Sequence, residues 1–249
     1  MPSLGINNAD VTLDKYRLIF GGREIKPSVR KLGEMKDVLL DNLINASNKD
    51  EPLYYMYRSS ICAEHEQAFV KSEIRYDITV LNSAKLGREL NKTLGHFHPV
   101  VHDGLSYPEI YEVLSGEAIY ILQKQAKGYY SVKIIHAKEG EKVLIPPNYG
   151  HVTVNPLDRD LVMANLVSSK FSSLYEPVRE KRGMAVYILE DSFKVNGNYD
   201  YANIEVEFSK NRFKVPIKRT LYDAFLSNPY KFDYLNEPKI LDGKYKDEN

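Results

Sequence analysis

The periodicity of the chain changes near residue 52. Before it, "SVRKLGEMKDVLLDNLINAS" places Leu32, Met35, Leu39 and Leu43 at helical spacing, which predicts a helix with Ser28 as its N-cap. The polar run "NKDEP" at 48–52 ends it. Beyond that point apolar residues recur at alternate positions in short blocks: "LYYMYRSS", "RYDITVLN", "EIYEVLSG", "EAIYILQ", "YYSVKIIHA", "KVLIPP", "HVTVNP" and "LVMANLV". Each block is bounded by Gly, Asn, Pro or charged residues and predicts a strand. Many short strands with turns this close together predict a mainly β fold, an antiparallel sandwich or barrel. "YEPVREKRGMAVYILED" predicts a helix or turn and then a strand. From about Asn196 the chain is polar, and "TLYDAFLSNP" is its one modest helical candidate. These shifts divide the chain into an N-terminal extension with a helix (1–50), a barrel domain (51–190) and a C-terminal appendage (191–249).

A length of 249 residues suits one large domain or a domain with extensions, and a 43% hydrophobic content is enough for a sizeable core. Lys+Arg and Asp+Glu both number 34, so the net charge is zero. That balance offers no electrostatic footprint for nucleic acid or an anionic membrane, and it points to a small molecule bound locally. Cys62 is the only cysteine, which rules out an internal disulfide and predicts a small core residue. The opening "MPSLGINNADVTLD" has neither a basic start nor an apolar stretch, and no apolar run is long enough to span a bilayer. The expectation is a soluble, cytoplasmic protein.

The chemistry concentrates in "GHFHPVVHDGLSYPEIYEVLSG", residues 95–116. On an extended chain His96 and His98 point to one side and Phe97 to the other, the arrangement two imidazoles need to grip one ion. In "EIYEVL", Glu109, Tyr111 and Val113 share one face, while Ile110, Glu112 and Leu114 share the other. Glu109 becomes a third ligand if its face is the one the histidines point to; Glu112 would face the wrong side. Downstream, "GEKVLIPPNYGHVTVN" brings His151 round as a fourth candidate, with Asn155 four residues on. Three imidazoles and a carboxylate leave open positions on a six-coordinate ion, where a substrate can bind. The donor types suit Fe(II), Mn(II), Ni(II), Co(II) or Zn(II). His65, His102 and His136 are expected to be ordinary core or surface histidines.

These two segments resemble the paired motifs of the cupin superfamily, with Gly116 seven residues after Glu109 and with His151 and Asn155 matching the second motif. Two departures stand out: the loop from His98 to Glu109 holds ten residues, and Asn148 stands where a glycine is common. More narrowly, "SVRKLGEM", "ITVLNSAKLGRE", "TLGHFHP", "EIYEVLSGEAIYILQ", "IPPNYGHVTVN" and "EKRG", in that order, resemble the cupin-type phosphoglucose isomerases. The resemblance implies a jelly-roll β-barrel with an N-terminal helix and strand extension. It also implies one divalent transition metal, Fe(II) before Mn, Ni, Co or Zn, and interconversion of glucose 6-phosphate and fructose 6-phosphate in glycolysis and gluconeogenesis. A homodimer is implied, with N-terminal strands packed on the neighbouring barrel.

Carried over by position, Thr79, Thr93, Gly95 and Tyr175 match phosphate-site residues. So does Tyr54, for which Tyr55 and Tyr57 are alternatives. Tyr111 matches a tyrosine beside the substrate, and Glu109 is the candidate base. The hydroxyls of Thr79 and Thr93 are expected to be free for phosphate, because Ile78, Val80 and Leu94 supply the packing opposite them. An enediol route and a hydride shift both fit these groups. Isomerisation of mannose 6-phosphate, a cupin dioxygenase and a non-enzymatic sugar-binding cupin are the competing functions. The threonines favour a phosphorylated substrate over a dioxygenase, and the complete set of four ligands argues against a binding protein.

Overall fold

The computed structural model describes residues 4–209 and 213–241; the first three residues of the extension and the end of the appendage, 242–249, lie outside them. The main strands are β1 (Val11–Asp14), β2 (Arg17–Phe20), β3 (Arg23–Ile25), β4 (Ser28–Lys31), β5 (Pro52–Tyr57), β6 (Ile74–Leu81) and β7 (Glu109–Ser115). They continue with β8 (Glu117–Ala126), β9 (Tyr129–Lys138), β10 (Lys142–Ile145), β11 (Gly150–Val154), β12 (Leu161–Ser168) and β13 (Ile204–Phe208). All eight blocks with alternating apolar residues form strands, and the protein is mainly β, as the jelly-roll expectation required. Two sheets make the barrel walls: a six-stranded sheet in the order β10-β7-β12-β6-β5-β4, and a four-stranded sheet in the order β11-β8-β9-β13.

The six-stranded sheet is covered on both faces, which explains why its strands read as nearly continuous apolar runs. Its inner face carries Tyr54, Tyr111, Val113 and Met163, which pack with Tyr120, Leu122 and Val152 of the other sheet. Its outer face carries Tyr76, Ile78, Ile110 and Leu166, which pack under Phe20 of β2 and under Tyr222 and Phe225 near the C-terminus. Every residue of β12 is buried as a result. Cys62 belongs to this outer cluster, as a core residue should.

Two local readings are corrected. Ser28 caps no helix: it opens β4, which pairs antiparallel with β5. The helical turns begin at Leu32 and form a 3-10 helix, Leu32–Val38, whose buried residues Leu32, Met35 and Val38 recur every third position. Three residues per turn puts such a series on one side, so the stripe was real but the period was tighter than that of an α-helix. Glu34, the third residue of the helix, reaches back to accept the Lys31 N–H at 2.8 Å.

The appendage is tied in rather than loose. Strand β13 pairs in parallel with β9. Besides α1 (Glu66–Ser72) and α2 (Glu176–Glu180), the chain forms α3 (Leu221–Ser227), which matches the one helix expected there. Thr220 caps α3 by accepting the Asp223 N–H at 3.2 Å. Asp223 in turn accepts the backbone N–H groups of Asn7 and Asn8, at 3.0 and 2.9 Å, joining the two ends of the chain.

Candidate metal centre

The segment around His96 and His98 is extended but belongs to no long strand. It is stitched to its surroundings by bridges from His96 to His151 and from Phe97 to Leu174. Alternation holds all the same. The His96 and His98 Nε2 atoms lie 3.2 Å apart, and Phe97 turns away to pack over Gly150, where a Cβ would lie 2.4 Å from the ring. Glu109 arrives from the inner face of β7 and His151 from β11. Their side chains meet with His151 Nε2 at 3.2 Å and His98 Nε2 at 3.3 Å from Glu109 Oε2. One donor atom from each of the four residues falls within 4.8 Å of all the others.

The donor chemistry fits a cation. The His98 Nδ1–H donates to the Tyr107 carbonyl at 2.8 Å, which leaves the Nε2 lone pair facing the cluster. Burial, then the neighbouring imidazoles His151 and His98, holds His96 well below the usual histidine range. Burial likewise lowers His151, so both rings are neutral. Burial alone would raise the Glu109 carboxyl, but the adjoining His151 and His98 rings outweigh it and hold the group well below the ordinary carboxylate range. Glu109 Oε2 and His151 Nδ1 are buried without a conventional hydrogen-bond partner. Converging lone pairs of this kind repel one another unless a positive charge sits among them.

The cluster opens into a cavity of about 520 Å³, including its mouth, which is also lined by Tyr54, Thr79, Thr93, Gly95, Tyr111 and Tyr175. Every expected site residue except His151 lines it, and His151 touches it through Tyr111, whose hydroxyl is 3.2 Å from His151 Nε2. Burial, then the Glu109 carboxylate, pushes the Tyr111 phenol well above its ordinary range, so it remains an O–H donor. Of the three tyrosines on β5, Tyr54 is the one that faces inward. Tyr55 stacks on Tyr16 at 3.9 Å, and the Tyr57 hydroxyl donates to the Tyr16 carbonyl at 2.7 Å. Gly95 has φ +83°, the left-handed region that glycine adopts without strain, and a Cβ there would crowd the His151 carbonyl at 3.4 Å.

One expectation about the threonines is modified. The Thr79 hydroxyl makes no hydrogen bond among the described residues, whereas the Thr93 Oγ1 accepts the Thr153 N–H at 3.0 Å. Thr93 therefore serves the fold whatever else it does. Thr93→Val should lower the unfolding midpoint, because a buried N–H left without its acceptor costs about 1–3 kcal/mol. Thr93→Ser, which keeps the oxygen, should not. Equal midpoints for the valine and serine variants would show that this bond carries no weight.

The remaining histidines lie away from the cavity. His65 bonds Tyr222, His136 pairs with Glu117 and His102 lies 3.7 Å from Glu237. Asn155 is no ligand; its amide ties the carbonyls of Leu81, Asn82 and Arg159. The polar cavity residues that had escaped the sequence reading are Arg58, Arg75, Asn165 and Ser173. Arg58 Nη1 and Arg75 Nε lie 2.7 and 2.8 Å from the same oxygen of Asp77, a carboxylate with no exposure. The signal for Arg75 was present in "RYDITV", where Arg75, Asp77 and Thr79 alternate onto one face.

A family model of glucose-6-phosphate isomerase (GPI) matches residues 29–204. The glucose-6-phosphate isomerase of Thermococcus litoralis is 26% identical over 170 residues, covering 68% of this chain and 84% of that protein. That of Pyrococcus furiosus is 27% identical over 172 residues, with the same coverage. Among solved structures, Bacillus subtilis oxalate decarboxylase aligns at 19% identity and a TM-score of 0.34, over 49% of this chain and 28% of that one. An oxalate oxidase in complex with glycolate aligns at 18% and 0.31, over 43% and 47%. The chain thus spans less than half the length of either solved protein.

Proposed function

This chain belongs to the glucose-6-phosphate isomerase family, and on that premise we propose that it interconverts glucose 6-phosphate and fructose 6-phosphate at a divalent metal held by His96, His98, Glu109 and His151. The observation that carries the metal is the convergence of four lone-pair donors at the end of a cavity that also holds Thr79, Thr93, Gly95, Tyr54 and Tyr175. A divalent ion bound there would supply positive charge to the sugar oxygens O1 and O2. Fe(II) is the proposed ion, and Mn, Ni, Co and Zn share its donor preferences.

The chain's own residues divide the remaining work. Gly95 N–H and the hydroxyls of Thr79, Thr93, Tyr54 and Tyr175 are proposed to hold the phosphate. Tyr111, a neutral phenol, donates a hydrogen bond beside the reacting carbons. Glu109 is the only carboxylate lining the cavity among the described residues. A proton removed from C1 or C2 to a carboxylate would have to go to Glu109, and a hydride shift is the route that needs no such base.

A cytoplasmic homodimer working in glycolysis and gluconeogenesis completes the proposal. No helix among the described residues is long and apolar enough to cross a membrane. Strand β4 lies at the edge of its sheet with Val29 37% exposed, a surface open to pairing with a second copy.

Fructose 6-phosphate turnover in a coupled assay should disappear with a chelator and return with added metal. Turnover indifferent to chelator would remove the metal from the proposal, and turnover of mannose 6-phosphate alone would change the substrate. Thr79→Val should raise KM for fructose 6-phosphate about tenfold to a hundredfold, the loss of one hydrogen bond to a charged group. Metal content and unfolding midpoint should stay unchanged, because no internal partner loses a bond.

A further inference from the structure

Strand pairing arranges the cavity floor in three rows. Thr79 lies opposite Met163, and two residues further along Asp77 lies opposite Asn165. Asn165 is also opposite Tyr111, and the next row joins Arg75, Val167 and Glu109. Rows on one face of a sheet are about 7 Å apart along the strands. The Thr79 row and the Glu109 row are therefore the two ends, and Asn165 stands in the middle row between them.

Asn165 is 3% exposed, it lines the cavity, and its amide nitrogen has no hydrogen-bond partner. Buried polar atoms in native proteins are rarely left unpaired. Its neighbours in the row are bonded to other groups, and none takes this proton. Asp77 Oδ2 is occupied by Arg58 and Arg75, and its Oδ1 by the Ser59 N–H at 2.9 Å. The Tyr111 hydroxyl is engaged with His151. Leu, Val or Ile at 165 would pack at least as well in a strand buried at every position. The amide therefore carries a cost in the free protein that a bound ligand can relieve.

We propose that the Asn165 side chain donates a hydrogen bond to a hydroxyl oxygen on the middle carbons, C3 to C5, of the bound sugar phosphate, and so selects substrates by that hydroxyl. The proposal rests on the isomerase reading: with the reacting end at Glu109 and the phosphate at Thr79, the carbon chain has to cross the middle row. A site that hydrogen-bonds a substrate hydroxyl discriminates against analogues lacking it, because its own polar group is then left unpaired.

The test compares wild type with Asn165→Leu and Asn165→Ala on fructose 6-phosphate and on its 3-deoxy, 4-deoxy and 5-deoxy analogues. Both variants should lose about 10- to 100-fold in kcat/KM on fructose 6-phosphate, mostly through KM. They should match wild type on one deoxy analogue, the one lacking the contacted hydroxyl. Metal content should not change. Asn165→Leu should also raise the unfolding midpoint of the free protein by about 2–6 °C, since it removes an unpartnered buried amide. A residue with a structural role alone would give a lower midpoint and no dependence on the analogue. The proposal is overturned if the variants lose as much on all three analogues as on fructose 6-phosphate, or if kcat/KM does not change. Wild type inactive on fructose 6-phosphate would sink the isomerase reading, and this proposal with it; an active wild type isolates the Asn165 step.

Discussion

His96→Ala is expected to bind metal more than about 100-fold more weakly than wild type and to lose fructose 6-phosphate turnover with it. Removing a group that merely orients a ligand typically costs about 10- to 100-fold in metal affinity, so deleting the ligand itself costs more. The fold should survive. The bonds that hold this segment are made by backbone: His96 N–H to the His151 carbonyl at 3.1 Å, and His151 N–H to the His96 carbonyl at 3.0 Å. Neither needs the imidazole. Elemental analysis of the two proteins purified without added metal, alongside their melting curves, checks both halves. Equal metal content in a folded variant would remove His96 from the site.

Glu112→Ala should do the opposite, unfolding the protein readily while leaving its metal content unchanged. Glu112 lies next but two to Glu109 on the same strand but points to the outer face of the sheet. There it pairs with Lys142 at 2.9 Å, both side chains being nearly inaccessible, and accepts the Leu221 N–H at 2.7 Å. Truncating one member of a buried pair leaves the other charge uncompensated, which typically costs about 3–5 kcal/mol. For a chain of this size that is a fall of roughly 6–20 °C in the unfolding midpoint. The lost acceptor also leaves the first N–H of α3 unsatisfied, so the C-terminal segment should loosen first. A variant that melts like wild type would mean that the pair stabilises nothing. One that loses metal would put Glu112, not Glu109, at the site.

The contrast between these two glutamates was legible in the alternation of "EIYEVL", because a strand's period of two assigns faces without any knowledge of the partner strands. The same rule paired His96 with His98 and should have paired Thr79 with Asp77 and Arg75. The buried asparagine in "LVMANLV" was a second available signal, since a polar residue inside an apolar strand run needs a reason. The helix start at Ser28 was misplaced because a plausible cap residue precedes an apolar stripe. Pairing with β5 outweighs that local preference. The strand in the polar tail was missed although β13, "IEVEF", alternates apolar and charged residues as the other strands do; backbone pairing with β9 at the edge of the sheet holds it.

Local spacing, by itself, determined the eight barrel strands and the faces of their side chains, and it nominated four donor residues, because each depends on a repeat that neighbouring residues carry. It could not decide which faces meet. That His151 reaches Glu109 across some forty residues of chain, that the Thr93 oxygen is taken by the Thr153 N–H, and that Arg58 and Arg75 share one oxygen of Asp77 are outcomes of how two sheets close. Hydrogen bonds are short and directional, so whether a buried group is satisfied depends on partners distant in sequence. The unpaired amide of Asn165 therefore became visible only once every group around it had its position.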